Sequence, residues 1–305
     1  MPTSTPGSGT KPDLPVFLLG LRYARFLGLV LSKPAFVLPL FILSAMVLAG
    51  LAAPWLAPHS PVEGSLPNQL LPPIWHDGGN KDFLLGTDNL GRDILSRLIF
   101  GARVSLTVAL VAITTGGMFG VAVGILAGYY GRWVDALLMR VTDLALSLPT
   151  ILLALVLATI FEPSFTNVNL VIVLVLWSRF ARQIRGEVLS VKQRDFVALA
   201  KVAGCSSSRI MLRHILPNVG NTIIVLATFQ IAWVILLEST LSFLGVGIPP
   251  PNPAWGLMVA EGRNMLVSAY WISLFPGLAI ALTVLSLNLL GDWLRDLLDP
   301  RLRQL

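Results

Sequence analysis

The chain has 305 residues, of which 55% are hydrophobic and 12% charged, and a mean hydropathy of +0.77, which leaves too little polar surface for an ordinary soluble domain and predicts an integral membrane protein. The formal charge of +6 is not gathered into one basic patch with interleaved stacking aromatics, which excludes a nucleic-acid reader and points instead to membrane topology. A lone cysteine, Cys205, excludes an internal disulfide and a cysteine metal cluster.

Residues 1–33 open with a Ser, Thr, Pro and Gly run too polar to bury a core, read as a cytoplasmic tail. Lys11, Arg22, Arg25 and Lys33 then lead into the apolar run Phe36 to Ala53. A cleaved signal peptide competes for this pattern, but the run starts late and is long for one, so residues 34–56 are expected to hold a retained signal-anchor helix. Five further spans are expected at Val104 to Ala127, Ala136 to Ile160, Leu170 to about Val188, Val219 to Leu244 and Trp271 to Leu290, most with the ~20 apolar residues needed to cross a ~30 Å hydrocarbon layer. The fold class is therefore all-α, with six transmembrane helices. In the fourth span the clean apolar part stops at Trp177, and Arg179, Arg182 and Arg185 follow at steps of three, as in a helix leaving the membrane with a basic face in the interface. Placing both termini in the cytoplasm puts the basic loop from Arg179 to Arg213 and residues 293–305 inside, and leaves only Lys81, Arg92, Arg97, Arg103 and Arg263 outside.

The external stretch 57–102 is broken by Pro58, Pro61, Pro67, Pro72 and Pro73 in its first half. In its second half Leu90, Ile94, Leu95, Leu98 and Ile99 recur at helical spacing, with Arg92, Asp93, Ser96 and Arg97 opposite and Asp88 or Asn89 as cap. That pattern, with Gly91 in its first turn, predicts an amphipathic helix in the outer interface that clamps the second span.

Inside the membrane, Arg132 with Asp135 and Arg140 with Asp143 stand at i,i+3 spacing and are expected to pair, against a proton relay as the sharper alternative. Pro149 is expected to kink the third span and free a carbonyl that Ser147 or a neighbouring helix can satisfy. Glu238, beside Ser239, has no basic residue in its own span, so these two and Pro149 are candidates for lining a pathway; a hydrogen-bonded contact between helices is the plainer role for the glutamate. Trp255 and Trp271 are expected to anchor at the headgroups.

The stretch Asp195 to Asn218 is a polar, basic segment between two apolar runs. Phe196 to Ala203 favours helix, Gly204 stands where a helix takes a C′ glycine, and one of Ser206, Ser207 and Ser208 is expected to cap a second short helix that Pro217 stops, with Ile210, Leu212 and Ile215 supplying its apolar contacts. Small Ala198, Ala200 and Ala203 suit close approach by another protein, while Lys201, Arg209 and Arg213 keep the segment at an aqueous surface. This suits a docking lever. The segment resembles the cytoplasmic coupling loop of ABC-importer permeases, in Gly204 and in Ile215-Leu216-Pro217-Asn218, although Ala198-Leu199-Ala200 stands where that family has Glu-Ala-Ala. Three further runs are similar to its peptide-importer branch, specifically the second of the two permease subunits. They are Gly86-Thr87-Asp88 with Gly91-Arg92-Asp93, Ser242 to Gly245 with Pro249-Pro250 and Trp255-Gly256, and Gly291-Asp292 with Arg295-Asp296 and Asp299-Pro300.

The resemblance implies a type I ABC-importer permease fold, with a core over residues 103–292, and a multi-pass bacterial plasma-membrane protein that carries dipeptides or short oligopeptides. It also implies a second homologous permease, two ABC ATPases that bind ATP and Mg, and an extracytoplasmic binding protein as partners. Docking would then fall to Asp195, Phe196, Ala198, Ala200, Gly204, Cys205, Arg209, Ile215, Leu216 and Pro217. The residues agree on one further point: no phosphate-binding Gly-x-x-x-x-Gly-Lys-Ser/Thr loop is present, so hydrolysis is expected in partners, with no catalytic or metal site here. A proton-coupled secondary transporter, using Glu238 or Asp143, is the alternative.

Overall fold

The computed structural model describes residues 34–298. The N-terminal tail, its basic residues through Lys33, and the Asp299-Pro300 motif with Arg301 and Arg303 lie outside the described residues. By compactness the chain divides into Met1–Leu38 and Pro39–Leu305, and apart from the first residues of one helix everything below belongs to the second.

Among the described residues the chain is helical, with one isolated bridge, Thr87 to Asp93. Helix α1 runs Pro34–Leu51. After a looped segment, α2 (Ile94–Ala112) passes through a π turn at Ile113–Gly117 into α3 (Met118–Tyr130) without a break. Gly131, at φ +65°, ends it. Helix α4 (Arg132–Ser147) and α5 (Thr150–Ile160) follow, then α6 (Phe165–Val191), α7 (Asp195–Val202), α8 (Leu216–Phe243), α9 (Trp255–Gly262) and α10 (Trp271–Leu298).

Among the described residues, four continuous helical stretches are long and apolar enough to cross a membrane, namely Ile94–Tyr130, Phe165–Val191, Ser207–Phe243 and Trp271–Leu298. The expected third span is not one kinked helix: α4 and α5 meet at 88° and pass the same test only as a pair. Pro149 removes a backbone donor and forces Leu148 to extended geometry, so the axis breaks rather than bends. The Ser147 hydroxyl donates to Leu144 O at 2.8 Å, one of the carbonyls that the break leaves free.

Close packing of α3 on α6 follows from glycine. Gly116, Gly120, Gly124 and Gly128 recur every fourth residue on one face, and the two helices run parallel along it. A Cβ at Gly124 would lie 2.7 Å from Ala181 O, and one at Gly128 2.7 Å from Val188 Cγ1, so the backbones approach to distances no larger residue permits. The main core joins α2, α6 and α8 through Val108, Ile172, Leu176, Phe180, Ile235 and Leu241. Elsewhere the helices expose apolar side chains such as Leu110, Met118 and Val156, a surface suited to hydrocarbon or a partner and unsuited to water.

Candidate functional site: the coupling segment

Helix α7 is short and ends in a complete Schellman arrangement: Gly204 N–H donates to Lys201 O at 3.0 Å and Cys205 N–H to Ala200 O at 3.1 Å, with Gly204 at φ +75°. Cys205 and Ala200 lie in the same apolar cluster, the contact that usually accompanies this cap. Ser206 caps the next turn, accepting from Arg209 N–H at 3.4 Å.

The second helix does not stop at Pro217. Ser207–Arg209 continues through a π turn, Ile210–Ile215, directly into α8, and Pro217 sits in the first turn of that helix. A widened turn gives the proline ring room where an α-helical turn would set a carbonyl against it, and Asn218 Nδ2 donates to His214 O at 2.7 Å. The segment is thus welded to α8.

One side of the segment anchors it. Val197, Ala200, Ile210 and Ile215 are buried with Ile184, Val188 and Val191 of α6 and Ile125 and Tyr129 of α3. Lys192 fixes the same corner, donating to Tyr129 O at 2.5 Å and Gly128 O at 3.3 Å at the carbonyl end of α3. Burial, and then the neighbouring Lys201, lower the pKa of Lys192 from the usual lysine value. The other side is exposed and apolar: Leu199, Val202 and Leu212 are 68%, 87% and 64% accessible. Ala198, Gly204 and Arg209 share that open side, and a Cβ on Gly204 would meet nothing within 4 Å. Three expectations change here, because Ala200 and Ile215 belong to the anchoring side and Leu212 to the open one.

The residues 120–304 match the family model described as the binding-protein-dependent transport system inner membrane component. The chain belongs to this family. It is 44% identical over 297 residues to the dipeptide transport system permease protein DppC of Escherichia coli K12, covering 97% of each chain. It is 41% identical to the protein of that name from Haemophilus influenzae, over 90% of this chain and 92% of the other, and 41% identical to the di/tripeptide transport system permease protein DppC of Pseudomonas aeruginosa, over 87% of each. A solved structure titled as the crystal structure of an amino acid ABC transporter with histidines superposes with a TM-score of 0.52 at 13% identity, over 67% of this chain and 95% of that one, and shows the type I fold.

In this permease the acids of the third span do not pair within their helix. Asp135 receives Arg185 of α6 at 2.5 and 2.6 Å in a two-pronged bridge, and Asp143 receives Arg182. Arginines three apart on α6 thereby hold α4 across the helix boundary, where Arg132 and Arg140 had been expected.

The interfacial helix expected at 90–99 is not a separate element. Residues 88–93 form a loop, helix begins at Ile94 behind an Asp93 cap that accepts from Ser96 N–H at 2.9 Å, and it runs straight into the span. Its polar face is buried, not solvated. Arg97 bridges Asp88 and reaches Glu261 of α9 at 2.7 Å, while Arg92 reaches Asp88 at 2.6 Å and Glu261 at 3.1 Å. Gly91, at φ +72°, packs on the Ser65 backbone, where a side chain would clash. The two tryptophans expected at the headgroups are buried too, with Trp255 Nε1 donating to Leu98 O and Trp271 Nε1 to Thr87 O, both at 3.0 Å.

Of the pathway candidates, Glu238 is fully enclosed and accepts from Ser242 of its own helix at 2.7 Å and from Ser105 of α2 at 3.5 Å. It ties α8 to α2 in the manner of the plainer role. Ser239 is buried beside it, and Pro149 is exposed at the α4–α5 bend. Sequence reasoning missed the exposed trio Leu199, Val202 and Leu212, although two of them fall three residues apart on a helix too short to bury all its apolar side chains.

Proposed function

We propose that this permease forms half of the translocation pathway of an importer for dipeptides or short oligopeptides, driven by ATP. Its partners in this reading are a second, homologous permease, two ATPases that bind ATP and Mg, and an extracytoplasmic binding protein. Both termini lie in the cytoplasm and six helices cross the membrane, with α1 as the first and the α4–α5 pair as the third. The cargo assignment rests on the peptide permeases to which the chain is 41% to 44% identical along most of its length.

The observation that carries the coupling role is the two-sided segment. A free apolar patch of Leu199, Val202 and Leu212 stands on a turn whose other side is packed into α3 and α6 and whose end is continuous with α8. Contact on that patch moves a rigid lever, since nothing between patch and spanning helix is free to absorb the displacement. Neither acid proposed for proton coupling favours the alternative: Glu238 is held by two serines and Asp143 by Arg182.

Val202→Asp tests the docking surface, because it places a charge in an apolar contact without touching the buried side. The expected outcome is normal membrane insertion and loss of ATPase copurification in mild detergent; undiminished copurification would overturn the assignment.

A further inference from the structure

Between α6, α8 and α10, at the end of the bundle that carries the coupling segment, lies an open groove of about 910 Å³. From α6 it is lined by Gln183 and Glu187, one turn apart on one helix face, and from the turn between α6 and α7 by Arg194. Asn221, Thr222 and Phe229 face them from α8, and Arg295 closes one side from α10. A face toward lipid would be apolar; this one carries three charges and several amides.

The same face of α6 continues one turn further into the bundle, to Arg179. Its guanidinium lies 4.1 Å from the ring centroid of Trp233, which is one turn beyond Phe229 on α8. Arg182 and Arg185 are engaged by Asp143 and Asp135, whereas Arg179 and Glu187 have no ion-pair partner among the described residues. An arginine midway along a spanning helix that is held by an aromatic face and no acid is a cation kept for something else.

Resting on the peptide-import reading, we propose that this groove is the inward half of the pathway, and that Arg179 and Glu187 receive the carboxylate and ammonium ends of a short peptide. Eight residues of α6 separate the two by ~12 Å. A peptide of two to four residues spans that distance at ~3.3–3.6 Å per residue once the two long side chains lean toward it. Arg194, in the turn that follows α6, adds a second arginine to the groove lining, so the carboxylate is handed outward from one arginine to the next. No covalent step is involved.

The test uses the intact copurified assembly in inside-out proteoliposomes. Thr222→Cys in a Cys205→Ser background is labelled from the cytoplasmic face with a charged, membrane-impermeant maleimide. Alanyl-alanine is expected to slow labelling about threefold when supplied at twice its dissociation constant. Its end-blocked N-acetyl amide should give no protection, and Glu187→Gln or Arg179→Gln should each abolish the protection by alanyl-alanine. Should the Arg179 variant fail to assemble, the Glu187 variant decides alone. Equal labelling with and without alanyl-alanine would overturn the proposal, as would no labelling in any state, which would mean that residues after Leu298 or a helix of the second permease fill the groove. Uptake of radiolabelled alanyl-alanine by the unsubstituted assembly separates the two readings. Uptake without protection removes this groove and leaves peptide import standing, while failure to import any peptide removes the reading on which the groove depends.

Discussion

At the residue scale, Gly120 and Gly186 look alike in the sequence, each a glycine inside a spanning helix, and they do opposite work. A Cβ on Gly120 would run into Trp177 O and lie 2.6 Å from Phe180 Cβ, while one on Gly186 would meet nothing within 4 Å. Gly120→Val is therefore expected to destabilise by about 1 to 3 kcal/mol through overpacking. Gly186→Ala is expected to be neutral or to stabilise by up to about 1 kcal/mol through the loss of glycine's backbone freedom. Thermal unfolding of the detergent-solubilised permease distinguishes them, and an equal fall for both would contradict the packing described. Residue identity alone could not separate the pair, because the difference lies in what a helix some sixty positions later places opposite. Gly204 was legible because its demand is local: a short helix must end, and positive φ is what a Schellman cap requires. Trp255 and Trp271 were not, since an indole at the start of an apolar helix reads equally well at a headgroup or inside the protein, and only Leu98 O and Thr87 O decide it.

At the scale of elements, helix existence was readable and helix partnership was not. The i,i+3 spacing of Arg132 and Asp135 permitted a local pair, yet Asp135 takes the two-pronged bridge from Arg185 because that contact offers better geometry and also secures α4 to α6. A double-mutant cycle between Asp135→Asn and Arg185→Gln is expected to give a coupling of about 1 to 3 kcal/mol, and the cycle between Asp135→Asn and Arg132→Gln about zero. Coupling confined to Arg132 would restore the local pairing. The stretch 90–99 teaches the same limit. Its helical period holds only from Ile94, behind an Asp93 cap, and an amphipathic pattern states that one face is polar and not whether that face meets water or Glu261, more than 160 positions away. Pro217 was misread for a different reason: the rule that proline ends a helix assumes an α-helical turn before it, and here a π turn precedes it.

At the scale of the whole molecule, composition pointed to membrane residence, and the segment between the fourth and fifth apolar runs pointed to the family that the match over residues 120–304 shows. What composition could not reveal is that this segment has two apolar sides, one holding it to α3 and α6 and one left open. In the proposed coupling role force enters at the open side and passes through the π turn into α8. Cysteine cross-linking at Val202 measures this most directly, using Val202→Cys in a Cys205→Ser background, a short thiol-to-amine reagent and mass spectrometry of the product. The expected product is a cross-link to an ATPase subunit whose yield changes between nucleotide-free and ATP-bound states. An importing assembly in which Val202→Cys joins only lipid or this chain itself would contradict it.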